Sequence, residues 1–474
     1  MTAAQDPTTA AAVRSFRDPG GVLIRRGGRI LRVLNPEGAA SLESFLKTTT
    51  AREAAETGKL VRSTPLDPAD FPEIDAAALI EHERIPFPSY PYEWPPEMLH
   101  AAGVLTLDLA KSALDEGFGL KDASPYNVLF RGSEPVFVDV LSFERRDPRD
   151  RAWIAYAQFV RTFLLPLLAW REFGLSPDQV LITHRDGLEP ETMYRWAGFW
   201  RRWKARFLAL VSLPKWMSGR EDAAVYRPSP AASAEQAAFI LNGLLNSCRR
   251  HLNALRPANA VSKWSNYTGA KSLYSDAEFA AKEAFVADAL GLARPGNVLD
   301  VGANEGHFSF LAAASGASVV AIDSDPAVAG AIWRKAHAGR LDVLPLVVDL
   351  TRPTPATGWR NQECESFLDR SRSGFDMVLM LAVIHHMLVT ERVPLEDLFD
   401  LVSEITREYA LIEYVAPEDP MFQRIVRGRE ALYSHLTRDR FEAAAARRFD
   451  LVRSTRIGGL HRWLYLFRRR RATA

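Results

Sequence analysis

The chain has 474 residues, more than one hydrophobic core usually serves, so two domains are expected. Its 59 Lys and Arg nearly balance 58 Asp and Glu, and the net charge of +1 gives no whole-molecule argument for nucleic acid or anionic membrane. Cys248 and Cys364 are its two cysteines, which excludes a disulfide framework or a thiolate metal cluster and fits a cytoplasmic protein.

Residues 1–17 lack the uninterrupted apolar core of a secretory signal and read as a disordered end. Residues 21–34, GVLIRRGGRILRVL, predict a hairpin turning at Gly27-Gly28. The prolines of 86–96 predict a rigid irregular crossing into a helix near Met98, and 136–140 (VFVDV) a short buried strand. The most apolar run, 162–170, falls short of the roughly 20 residues that span a bilayer, so no transmembrane segment is expected. From Arg151 to about Pro257 the pattern is helical, with Trp196, Phe199, Trp200, Trp203 and Phe207 at helical spacing among Arg and Lys. Such a stripe fits a membrane-surface or RNA-binding helix, but a core-facing stripe with a snorkelling basic face is the expectation. The basic tail Arg468–Arg471 is read as a solvated chain end.

A boundary falls near 255–265, so 18–256 is expected to form one domain. Residues 257–294 read as a linker and lead-in helix (about 276–292), and 295–470 as a second domain. There strands at 297–301, 318–323, 343–349, 375–381 and 409–415 alternate with helices, and a last pair lies near 449–455 and 462–468. The alternation predicts an α/β fold, a parallel sheet with an antiparallel edge hairpin.

The turn after the first of these strands, NVLDVGANEGHFS, is a nucleoside-binding pattern. A pyrophosphate needs G-x-G-x-x-G, and Asn304 and His307 stand where the second and third glycines belong, which argues against NAD or FAD. S-adenosylmethionine carries no phosphate. Gly302 and Gly306 suit its turn, Asn304 its amino-acid moiety, and Asp323 its ribose hydroxyls. Asp349 suits the adenine amino group, and Asp300 is the third strand-end acid.

These residues resemble the class I S-adenosylmethionine-dependent methyltransferases, whose sheet is Rossmann-like. VLDVGANEGHFS looks like their first motif, AID at 321–323 their second-strand acid, and FDMVLMLAVIHHM at 375–387 their fourth-strand motif. Residues 264–286, 353–359 and 412–421 resemble a bacterial subgroup that includes the NoeA-type nodulation proteins. The resemblance implies S-adenosylmethionine as cofactor, held by Asp300, Gly302, Asn304, Gly306, Asp323, Ser324, Asp349, Leu350 and Leu381.

Methyl transfer is mostly alignment, but a hydroxyl or amine acceptor must also lose a proton. His385 and His386, just past the fourth strand, are candidate bases, with a structural pair as the alternative. Glu413, ending the fifth strand, is a catalytic candidate that could bind or deprotonate the acceptor, with a supporting role as the alternative. Trp359, Glu363 and Arg370 could form a lid, and Tyr274 and Lys282 could cover the cofactor, with a packing or surface role an equal expectation for each. No metal is expected.

The first half carries LKDASPYNVLFRGSEPVFVDV, in which Asp122, Asn127 and Asp139 have the spacing of a protein-kinase catalytic loop. This resembles a degenerate kinase-like α+β fold over about residues 20–210, with Leu120 for the usual His and VDV for the Gly-containing triplet. No phosphate-gripping loop precedes it, and Lys47 and Lys59 are poor strand lysines, so a scaffold that positions the acceptor is preferred over Mg–ATP binding.

The expected function is methyl transfer from S-adenosylmethionine to an oxygen or nitrogen of a small molecule or glycan, which the first half recognises. A bifunctional kinase–methyltransferase, a tRNA methyltransferase and a non-catalytic partner-binding protein are the alternatives. Nucleic acid is not the expected partner, and the sequence leaves the oligomeric state open.

Overall fold

A computed structural model of the chain describes residues 18–217, 230–257 and 274–470. The expected disordered end 1–17, most of the 255–265 boundary, the start of the lead-in segment and Arg471 lie outside the described residues.

The first half opens on β1 (Gly21–Arg26) and β2 (Arg29–Leu34). They pair antiparallel across Gly27 and Gly28, whose φ values of 55° and 79° suit glycine in a tight hairpin turn. β3 (Ser63–Leu66) and β4 (Ala78–His82) complete an antiparallel sheet in the order β1-β2-β4-β3. The predicted proline crossing ends at the helix Pro96–Asp115, which starts with a proline where the missing N–H costs nothing. β5 (Phe118–Leu120), β6 (Val128–Arg131), β7 (Glu134–Phe137) and β8 (Phe143–Arg145) follow as two small antiparallel pairs, β5-β8 and β6-β7. The strand expected at 136–140 therefore ends at Phe137, and Val140–Ser142 is a 3-10 turn whose Ser142 N–H closes on the Asp139 carbonyl.

The aromatic stripe departs from expectation. The helix Pro190–Trp196 stops where Ala197 turns extended (ψ 128°), and Lys204 (ψ 136°) breaks the chain again. Phe207 enters the core, whereas Trp196, Phe199, Trp200 and Trp203 stand in solvent, because the two breaks remove the common helical face.

The second half contains β9 (Asn297–Val301), β10 (Ser318–Asp323), β11 (Val343–Val347), β12 (Phe375–Met380), β13 (Thr406–Val415), β14 (Phe449–Arg456) and β15 (Arg462–Arg469). The sheet order is β11-β10-β9-β12-β13-β15-β14, parallel through β13 and antiparallel for β15 and β14, as expected. Parallel strands buried on both faces need continuous apolar runs, which VLPLV in β11 supplies. Strand order reverses between β9 and β12, and that switch opens a crevice at the carboxyl ends of the strands.

The apolar core is continuous from one half to the other. In the segment after β11, Glu363 and Arg370 take the packing role in this junction rather than that of a lid, and Trp359 stands exposed. Arg370 is buried against Glu93 of the first half and stacks on Tyr90, and Thr354 donates to Glu93 at 2.5 Å. Glu363 pairs with Arg185 at 2.5 Å and Glu365 with Arg25 at 2.7 Å. A buried arginine needs a buried acid, and Glu93 supplies it.

Candidate active site

Gly302 and Ala303 leave β9 by donating to the Ile322 carbonyl of β10 at 2.9 and 3.0 Å, which folds the turn across the neighbouring strand end. Gly302 has φ 69°, and a Cβ there would come within 3.0 Å of Val383, just past β12. Gly306 (φ 78°) caps the helix His307–Ala314. His307 points away from the turn to Glu283, 3.0 Å distant.

Asp323 faces this turn from the end of β10. Its carboxylate accepts the backbone N–H groups of Asn304 and Asp325, each at 3.0 Å, and among the described residues no cation pairs with it. A carboxylate offers about four acceptor positions, so two remain for a ligand's hydroxyls. Burial pushes its pKa up to about 6, against the lowering pull of those N–H groups. Asp300 is fully buried below the turn, accepts from the Ser309 hydroxyl at 2.6 Å, and is likewise pushed up to about 6 by burial. Ser324 is exposed beside Asp323, while Leu350 and Leu381 are buried at the β11 and β12 ends.

Asp349 is engaged by its own loop. One oxygen accepts the Thr351 N–H (2.9 Å) and hydroxyl (2.5 Å), and the other accepts two Arg352 nitrogens (3.2 and 3.1 Å). All four acceptor positions are in use, so contact with an adenine amino group requires the exposed Arg352 to move.

Past β12, the short helix Ile384–Val389 carries His385 and His386, their rings 4.3 Å apart. His385 is buried, and neither ring nitrogen has a hydrogen-bond partner among the described residues. Burial, with the positive charges of Arg462 and Lys282, holds its pKa well below the usual histidine range. His385 is thus a buried imidazole, held towards its neutral form, with both nitrogens uncommitted among the described residues.

Glu413 is saturated. It accepts the Tyr274 hydroxyl at 2.5 Å and Lys282 at 2.6 Å, with Arg462 at 3.4 Å, and Arg462 in turn grips Asp419 at 2.8 and 3.0 Å. Burial alone would raise the Glu413 pKa, but the two cations hold it below the usual carboxylate range. Tyr274 and Lys282, candidates to cover the cofactor, are therefore committed to a buried ionic network that ties the lead-in helix Asp276–Ala293 to β13 and β15. Arg462, Asp419 and Ser309 are functional supports that the sequence reading missed; their partners lie on other elements, so no local spacing marks them. A cavity of about 430 Å³ opens on the same side of the sheet, between the segments that follow β12 and β13, lined by Leu388, Leu432, Tyr433 and Leu436 with Arg392 on its rim.

The geometry is that of a Rossmann-like sheet with a glycine turn and an acid at the second strand end. Residues 275–470 also match the family model described as a methyltransferase domain. This part of the chain is a methyltransferase. The methyltransferase is of class I and depends on S-adenosylmethionine. Its whole chain is 28% identical to Nodulation protein NoeA of Rhizobium meliloti (strain 1021) over 470 residues, 98% of this chain and 97% of the relative. Similar solved structures include the N-methyltransferase NodS of Bradyrhizobium japonicum WM9, at 13% identity and TM-score 0.31 over 41% of this chain and 98% of NodS. The bifunctional kinase-methyltransferase WbdD matches at 19% identity and TM-score 0.31 over 43% of this chain, and the match spans 41% of WbdD.

Asp122, Asn127 and Asp139 meet in the first half, on the wall of a cleft of about 1620 Å³ between the halves. Asn127 donates to the Asp122 carbonyl (3.3 Å) and to Ser142 (3.2 Å). Asp139 accepts the Ser142 hydroxyl at 2.5 Å and the buried guanidinium of Arg32 at 2.9 Å. Arg32 sits on β2 and was missed because the search was for a strand lysine. Its fixed charge lies on the carboxylate that would face a metal ion in a kinase-like site. The cleft also reaches Asn297, Gly374 and Arg407, at the amino ends of β9, β12 and β13, which is the edge of the sheet opposite the glycine turn.

Proposed function

We propose that the chain transfers a methyl group to an oxygen or nitrogen of a small-molecule or glycan acceptor, with His385 as the base. The observation that carries this reading is the pair of uncommitted nitrogens on the buried imidazole two residues past Val383, which packs on Gly302 of the turn. Bound S-adenosylmethionine supplies an electrophilic methyl group on its sulfonium. Gly302 and Gly306 give the turn room for it, and Asp323 offers two free acceptor positions to the ribose hydroxyls. We assign Asn304 to the amino-acid moiety, and Ser324, Leu350 and Leu381 to the walls of the nucleoside pocket. Asp300 supports the turn through Ser309, and Glu413 positions the lead-in helix. His385 would take the proton that the acceptor loses as the methyl passes to it and the sulfonium leaves as a neutral thioether, and His386 packs against His385.

The fold arrangement sharpens the role of the first half. The cleft and the glycine turn lie at opposite ends of strands such as Asn297–Val301, roughly 15 Å apart at about 3.3 Å per residue. An acceptor held in the cleft must span that distance, so recognition by the first half favours an extended glycan over a small molecule. Two free, buried cysteines agree with the reducing interior of a cell, and no described helix is long and apolar enough to cross a membrane.

Two measurements test this reading. Metabolites and glycans of a deletion strain, compared by mass spectrometry, should include one species lighter by a methyl group. With that acceptor, His385→Gln should lower kcat by about 10²–10⁴-fold while S-adenosylmethionine affinity stays within a factor of two or so. Undiminished kcat sinks the base assignment.

A further inference from the structure

Between Arg195 and Met217 the chain carries Arg195, Arg201, Arg202, Lys204, Arg206 and Lys215 and no carboxylate, although the molecule as a whole is nearly neutral. The same segment exposes Trp200 at 83%, Met217 at 71%, Phe199 at 62% and Trp203 at 55%. The rings form one cluster: Phe199 meets Trp200 at 5.2 Å and Trp203 at 6.4 Å, and Trp203 meets Trp216 at 5.7 Å. Arg201, Arg202 and Lys204 are held by neighbouring side chains. Arg202 lies 4.0 Å over Tyr194, Arg201 stacks on Phe173 at 4.8 Å, and Glu172 is paired with both Arg201 and Lys204. A monomeric soluble surface does not leave four large apolar side chains together in water without a use for them.

We propose that this face docks the protein on an anionic lipid bilayer. Indole and phenyl rings ringed by Arg and Lys match the headgroup boundary, where the rings enter the acyl edge and the cations meet lipid phosphates. A second copy of the chain fits poorly, because a two-fold contact would set this net-positive face, with Glu172 the acid paired to Arg201 and Lys204, against itself. Stacked RNA bases would use the rings but leave Met217 and the exposed Leu213 without a flat partner. The docking helix Pro190–Trp196 begins next to Glu189, which lines the cleft between the halves. A docked face therefore brings the cleft rim within roughly 10 Å of the bilayer, one short helix away at about 1.5 Å per residue. A membrane-borne acceptor would meet the protein there.

Co-sedimentation of the purified full chain with vesicles tests the proposal. Vesicles of phosphatidylcholine with phosphatidylglycerol should carry the protein down, and vesicles of phosphatidylcholine alone should not. Trp200→Glu with Trp203→Glu should lower partitioning about tenfold or more, and Arg195→Glu with Arg206→Glu about fivefold or more for each cation removed. Both pairs of side chains are exposed, and unchanged thermal unfolding confirms that the variants fold. Absence of binding to anionic vesicles, or binding that the Trp pair leaves intact, overturns the proposal. So does a dimer by gel filtration that the Trp pair dissolves, or binding of a short single-stranded RNA in preference to vesicles.

Discussion

Asp323 and Asp139 look alike in sequence, each an acid at or just past a buried strand, yet their surroundings set them apart. Asp323 keeps its charge uncompensated by any described cation and holds only backbone N–H groups, so half of its acceptor capacity faces the crevice. Asp139 has already spent its charge on Arg32 and its other oxygen on Ser142. A carboxylate poised for a ligand is under-satisfied inside the protein, whereas one that holds a fold together is not. By that criterion Asp323 in the second half is open to a ligand, whereas Asp139 in the first half is occupied by Arg32 and Ser142.

The contrast can be broken most forcefully at Arg32. Arg32→Met leaves Asp139 and Asp18 without their buried partner and should cost about 3–4 kcal/mol, read from urea unfolding. If Arg32 were instead a mobile group that makes way for Mg–ATP, the loss would be small. Calorimetry would then find Mg–ATP binding by the native chain that vanishes in Asp139→Ala, and the bifunctional reading would replace ours. At Asp323 the expected change falls on the ligand. Asp323→Ala should weaken S-adenosylmethionine by roughly 30- to 100-fold, or about 2–3 kcal/mol for lost charge-assisted hydrogen bonds, with unfolding little changed. Unaltered affinity in titration calorimetry would remove the ribose assignment and with it the contrast.

The parts of this chain that were legible in its sequence are those whose physics is local. Parallel strands read as apolar runs because both faces are buried, and the glycines of the turn after β9 stand where φ is positive. The Arg32–Asp139 pair spans 107 positions and the Arg370–Glu93 pair 277, and no periodicity couples such residues. That is why a lid is one reading of the insert after β11, which folds as a junction. The aromatic stripe failed for another reason. Spacing of three and four defines a face only while the helix continues, and Gly198, sitting beside the break at Ala197, was the signal that it does not.

The finest test of the comparison is its pH dependence. With its pKa raised to about 6 in the ligand-free protein, Asp323 is ionised at neutral pH and, on the proposed assignment, accepts from both ribose hydroxyls. Below that value it becomes protonated and loses acceptor capacity, so affinity for S-adenosylmethionine should be full above about pH 7. It should halve near pH 6 and fall about tenfold by pH 5. Burial and the neighbouring positive charges hold the His385 pKa well below the usual histidine range, which moves its own titration away from this slope. Asp300 titrates in the same window, but its partner is Ser309 rather than the ligand. Asp323→Asn should therefore flatten the profile at a lower overall affinity. A slope that survives in Asp323→Asn would move the ligand-facing charge to Asp300. The two aspartates of the opening contrast would then differ in position alone, because neither would carry its charge to a ligand.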